Sequence, residues 1–73
     1  MRKYYVIQGD FANTYTVWSA ENESTIRELV ERGAERITKK EAKRLCDAEK
    51  ERRMYGGNGG FASAEIRDAE LEL

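Results

Sequence analysis

Histidine is absent from this sequence of 73 residues, cysteine occurs once, and no apolar run is longer than Tyr4-Tyr5-Val6-Ile7. Each scarcity excludes something. Without histidine the chain lacks the side chain whose unperturbed pKa lies nearest neutrality, so any general base has to be a strongly shifted carboxylate or lysine. Serine–histidine and cysteine–histidine nucleophile systems are excluded with it. Cys46 alone cannot form an internal disulfide, and without histidine it cannot supply the nitrogen and sulfur donors of the usual zinc sites. The longest apolar run falls far short of the ~20 residues that span a bilayer, and no charged-then-apolar signal segment precedes it. These absences lead us to expect a cytoplasmic protein that is not an enzyme, takes no cofactor or metal, and has no membrane partner.

What is present is a short, highly charged chain. Domains of this size bury only about 60% of the surface their unfolded chains expose, which leaves one modest core and makes association with a partner, a second copy included, helpful. The charges cancel to −1 overall but are unevenly spread. Residues 1–37 carry five basic and six acidic side chains (−1), residues 38–55 seven and four (+3), and residues 56–73 one and four (−3). The middle block is the one feature able to attract a polyanion, and the acidic tail is placed to cover it or compete for it.

Local patterns predict an α+β fold: an N-terminal antiparallel β-hairpin packed against two or three α-helices in a single small domain. Residues 3–8 and 14–18 are rich in aromatic and β-branched types and read as strands, joined by the short turn-forming stretch Gly9-Asp10-Phe11-Ala12-Asn13. The first strand is apolar on both faces, so helices must pack on it. Ile26, Leu29 and Val30 mark one face of a helix over about residues 23–32, capped by Asn22 or by Thr25 with Glu28 and stopped by Gly33. Ala34 to Ile37 reads as a turn or a very short strand. Thr38-Lys39-Lys40-Glu41 then spells a capping box for a second helix from Lys39 to about Tyr55. The expected core is Val6, Ile7, Val17, Trp18, Ile26, Leu29, Val30, Ile37 and Leu45.

Residues 1–55 therefore read as hairpin plus two helices, 56–62 as a glycine-rich joint, and 63–73 as an acidic C-terminal segment. That last segment reads as a helix starting near Ser63, with a third strand pairing through Ala62, Ala64 and Ile66 as the alternative. Gly57-Asn58-Gly59-Gly60-Phe61-Ala62 matches G-x-G-x-x-A formally, but a dinucleotide site needs a buried strand before the glycines, and here a charged helix precedes them. A connector is the expectation, with Gly56 stopping the second helix and the tail free to choose its position. A chain cut before Gly56 is then expected to stay folded.

Function is read from surfaces. Seven aromatic residues are more than one thin core needs, and aromatic anchors are what interfaces favour. We expect a non-catalytic module that binds another protein or protein complex, through Tyr4, Phe11, Tyr15 and Tyr55 and the tail acids Glu65, Asp68, Glu70 and Glu72. A free hairpin edge offers a further route, by adding a strand to a partner's sheet. The alternative is a small DNA-binding regulator using the basic second helix, with Lys39, Lys40, Lys43 and Arg44 near its start and Lys50, Arg52 and Arg53 near its end. In size and style the chain resembles the compact inhibitors that phages and mobile elements encode, anti-CRISPR proteins among them. That resemblance implies blockade of a larger, nucleic-acid-handling complex by surface occupation, either through the acidic tail imitating phosphate charge or through steric blockade by the hairpin and first helix.

Overall fold

Aromatic and β-branched residues crowd positions 3–8, and there the chain forms β1 (Lys3–Gln8), which pairs antiparallel with β2 (Tyr15–Ala20) from Lys3↔Ala20 to Gln8↔Tyr15. The computed structural model describes residues 1–9, 14–56 and 63–73. The Gly9 N–H donates to the Thr14 carbonyl at 2.8 Å and closes the hairpin. A Cβ on Gly9 would lie 2.4 Å from Thr14 Oγ1, so the close approach of the strand ends accounts for glycine here.

Two short strands flank the hairpin. β3 (Glu35–Ile37) pairs antiparallel with β1 and β4 (Arg67–Asp68) pairs parallel with β2, in the order β3-β1-β2-β4. The hairpin is thus the centre of a four-stranded sheet. This corrects the expectation of a free hairpin edge: β1 is covered from Tyr4 to Val6, and β2 at Trp18 and Ser19.

Strand alternation sorts the side chains into two layers. Tyr5, Ile7, Trp18 and Ala20 pack with Ala34, Ala69 and the Ile26 and Leu29 of α1 (Glu23–Glu31). On the other face Tyr4, Tyr15, Val17 and Ile37 pack with Ile66 and with Ala42, Leu45 and Cys46 of α2 (Lys39–Met54). A helix over each face is what a strand apolar on both sides requires. The result is a small single-domain α+β fold with three helices among the described residues, the last being the four-residue α3 (Ala69–Glu72). Among the described residues no helix is long and apolar enough to cross a membrane.

The helix ends follow their sequence signals. Gly33 takes φ +87° after α1, its N–H donating to the Val30 carbonyl while Ala34 N–H donates to that of Leu29, both at 3.0 Å, and Ala34 packs in the same layer as Leu29. Thr38 Oγ1 accepts from Glu41 N–H at 3.1 Å at the start of α2, and Gly56 takes φ +79° beyond its end. Asn22 caps α1 by position, without a side-chain hydrogen bond.

Val30 departs from expectation, being 54% exposed whereas Leu29 is fully buried. Successive helical residues turn by about 100°, and Leu29 at the centre of the contact carries Val30 round toward solvent. Several true core residues are small: Ala20, Ala42 and Ala69 are completely buried, Cys46 nearly so, and Tyr5 accompanies them. Of the remaining expected core, Val17 is fully buried, while Val6, Ile7, Trp18, Ile26, Ile37 and Leu45 are half-buried.

The C-terminal segment is the larger correction. It is neither one long helix nor a strand through Ala64, but two residues of strand followed by one helical turn. Ser63 Oγ accepts the Val17 N–H at 3.0 Å, Ile66 packs in the α2 layer, and Ala69 is buried in the α1 layer. The tail therefore passes around the β2 side of the sheet and joins both layers, instead of standing off the core. The glycine joint from Gly57 onward lies outside the described residues, as do Phe11 and Phe61.

Candidate functional site

Charge pairing decides which ionic groups face outward. Arg2, just before β1, donates to Ser19 Oγ and Glu70 at 3.1 Å each and lies 3.0 Å from Asp68. Glu70 also accepts the backbone N–H groups of Glu21 (3.1 Å) and Asn22 (3.4 Å), so the tail anchors the chain just ahead of α1. Asp68 accepts the Glu70 N–H at 3.0 Å and starts α3. Arg67 pairs with Glu72 while its guanidinium lies 5.5 Å from the centre of the Trp18 ring. Of the four tail acids, Asp68, Glu70 and Glu72 thus have internal cations, and Glu65 alone is without a described side-chain partner.

On α2, Glu49 is only 4% exposed and holds two arginines, with Arg52 at 2.8 Å and Arg53 at 3.0 Å. Hydrogen bonds from Arg52, aided by Arg53, outweigh the upward push of burial and hold the Glu49 carboxyl down to about 2. A group lowered in this way is a poorer base than an ordinary carboxylate, which gives it a structural role. Its stabilisation is present above the unfolded value of about 4.3 and lost as pH falls toward the folded value, because the unfolded chain binds the proton first. Urea midpoints should therefore separate wild type from Glu49→Gln clearly near neutrality and converge on acidification toward pH 2; a gap that stays constant with pH would refute this account. Burial pushes the Cys46 thiol up, keeping it protonated against Ser63.

The expected binding residues fall into three groups. Tyr4 and Tyr15 are half-buried and serve the α2 layer, whereas Tyr55 is 79% exposed at the end of α2. The acids Asp68, Glu70 and Glu72 lie in the pairings above. Lys39, Lys40, Lys43, Arg44 and Lys50 are exposed, while Arg52 and Arg53 turn back onto Glu49. α1 and α2 do not form a helix-turn-helix of the kind that enters a DNA groove, because β3 lies between them.

Two surfaces result. At the end of α2, Met54 and Tyr55 are exposed, and the preceding Arg53 lines an open groove of about 700 Å³ with Ile66, Leu71, Glu65 and Glu72. Leu71 is 82% exposed there. At the start of α2, Lys39 shares a second groove with Lys3, Tyr4 and Arg36. Sequence reading passed over Lys3, Arg36, Met54 and Leu71. Pairing of β3 with β1 brings Arg36 next to Lys3 at the sheet edge, where Lys39 joins them. Among the described residues no three histidine, cysteine or carboxylate side chains form a group able to hold a metal ion. Comparison with known proteins finds no family model, no curated protein and no solved structure that matches this chain.

Proposed function

We propose that the chain is a non-catalytic protein-binding module, one that blocks a larger, nucleic-acid-handling complex by occupying its surface, as small phage and mobile-element inhibitors of the anti-CRISPR kind do. The supporting observation is the exposure of Met54, Tyr55 and Leu71 at one end of a domain too small to leave large apolar side chains in water without consequence. Tyr, Met and Arg are the residue types enriched at interface centres, and Arg53 lies in the same groove as Leu71. Steric occupation is favoured over imitation of phosphate, since Arg2 and Arg67 already neutralise Asp68, Glu70 and Glu72.

A photo-crosslinking amino acid placed at position 55 or 71, with the exposed Arg27 of α1 as control, tests the reading in cells. A discrete adduct with another protein is expected from 55 and 71 and not from 27. The purified adduct partner should then bind wild type at least ~10-fold more tightly than Tyr55→Glu/Leu71→Glu, the loss of about 1.4 kcal/mol that one anchor supplies. An adduct only at twice the chain's own mass would replace the inhibitor reading with self-assembly. Equal adducts from all three positions would remove it.

A further inference from the structure

We infer that the start of α2 and the sheet edge beside it form a phosphate-backbone surface for nucleic acid, built from Lys3, Arg36, Lys39, Lys40, Lys43 and Arg44. Ion pairs separate these cations from the paired arginines, and position separates them from Arg27 of α1 and from Lys50 further along α2. Arg2, Arg32, Arg52, Arg53 and Arg67 are each held by a carboxylate, whereas none of these six side chains has an ionic or hydrogen-bonding partner among the described residues. Residues 35–44 hold five of the six together with Glu35 and Glu41, a local charge of +3 in a chain whose total is −1.

The placement follows from the fold. Tyr5↔Arg36 pairing sets Arg36 on the same sheet face as Lys3, as its diagonal neighbour on the side of Tyr5, and Thr38 leads directly from β3 into α2, so that Lys39 meets them at the sheet edge. Lys3, Arg36 and Lys39 line one groove of about 530 Å³ beside the half-buried Tyr4. Lys40, Lys43 and Arg44 line a second groove, on the first two turns of α2 and next in sequence to Lys39, where Lys40 and Arg44 stand one turn apart on the same side.

Charge complementarity selects the occupant. Lysine and arginine side chains free of internal partners neutralise phosphates and release their counterions, a gain that depends on salt and not on sequence. Asp47 and Glu51 follow on the same helix face, so phosphates are accepted at the start of α2 and repelled further along it. The helix therefore lies against the backbone without entering a groove to read bases. A lipid surface fits less well, because that face of α2 carries no large apolar side chain to insert. The inference goes beyond the protein-binding reading and uses separate residues, so either can fail alone.

Anisotropy of a labelled DNA duplex, titrated with the full chain across a salt series, provides the test. Four phosphate contacts predict a log–log slope of about −3.6, or roughly 150-fold weaker binding on going from about 50 to 200 mM salt, with the same affinity for unrelated duplex sequences. Lys40→Glu/Lys43→Glu/Arg44→Glu should flatten the slope by about 2.7, three contacts' worth, while Lys50→Glu leaves it near the wild-type value. Should the triple variant lose its far-UV circular dichroism, Lys43→Gln alone should still reduce the slope by about 0.9. No binding at the lowest salt, binding indifferent to these substitutions, or preference for phosphatidylserine vesicles over the duplex would each overturn the assignment.

Discussion

Deletion of residues 63–73 is expected to abolish the cooperative thermal transition followed by far-UV circular dichroism. The deletion removes Ala69 from the α1 layer and Ile66 from the α2 layer, and strips β4 from the edge of β2. It orphans the Val17 N–H in the middle of a buried strand position, at about 1–3 kcal/mol, and leaves Arg2 without Asp68 and Glu70. A chain of 73 residues has a total stability of only about 4–11 kcal/mol at the usual 0.05–0.15 kcal/mol per residue. Losses in both layers at once are of the same size as that total. A shortened chain that still melted in one sharp step, with a wild-type spectrum, would show that the two layers stand without their connector.

Leu29→Ala carries the second large effect. Among the described residues Leu29 and Val17 are the largest fully buried side chains, and Leu29, with the half-buried Ile26, packs α1 onto the sheet. Truncating a buried leucine costs about 2–5 kcal/mol, from lost transfer energy and from the cavity left behind. Taking about 3 kcal/mol, the midpoint should fall by roughly 12–24 °C in a domain of this size. Val30→Ala is the informative partner, since the sequence makes the two positions equally apolar. At 54% exposure it should change stability by no more than about 0.5 kcal/mol. Comparable losses from both would mean that α1 buries a wider face than Ile26 and Leu29.

How far the sequence could be read depended on the range of the forces involved. β1 and α2 were legible nearly to the residue, because strand propensity at Lys3–Gln8, the Thr38 cap and the Gly56 stop are local signals. β3, three residues long, was legible only as an alternative to a turn. The tail was misread because one turn of helix and two residues of strand are too short for periodicity to register. Its anchors are an alanine, a serine hydroxyl and an arginine 68 positions away, none of which stands out in a linear chain. The cationic surface was half visible in Lys39, Lys40, Lys43 and Arg44. Lys3 and Arg36 joined it only through strand register, and Arg52 and Arg53 left it because Glu49, three and four positions before them, is buried and claims both.

The covering of β2 by β4 has a consequence for biosynthesis. Ser19 and Arg67, joined across these strands, are separated by 48 positions. At about 5–20 residues per second, the ribosome finishes β4 roughly 2–10 s after β2. During that interval the newborn hairpin presents its backbone donors and acceptors along an open edge, the geometry that templates pairing between neighbouring chains. Closely spaced ribosomes on one message would bring such half-made hairpins within reach of each other, so a slower rate of initiation should raise the yield of correctly folded protein.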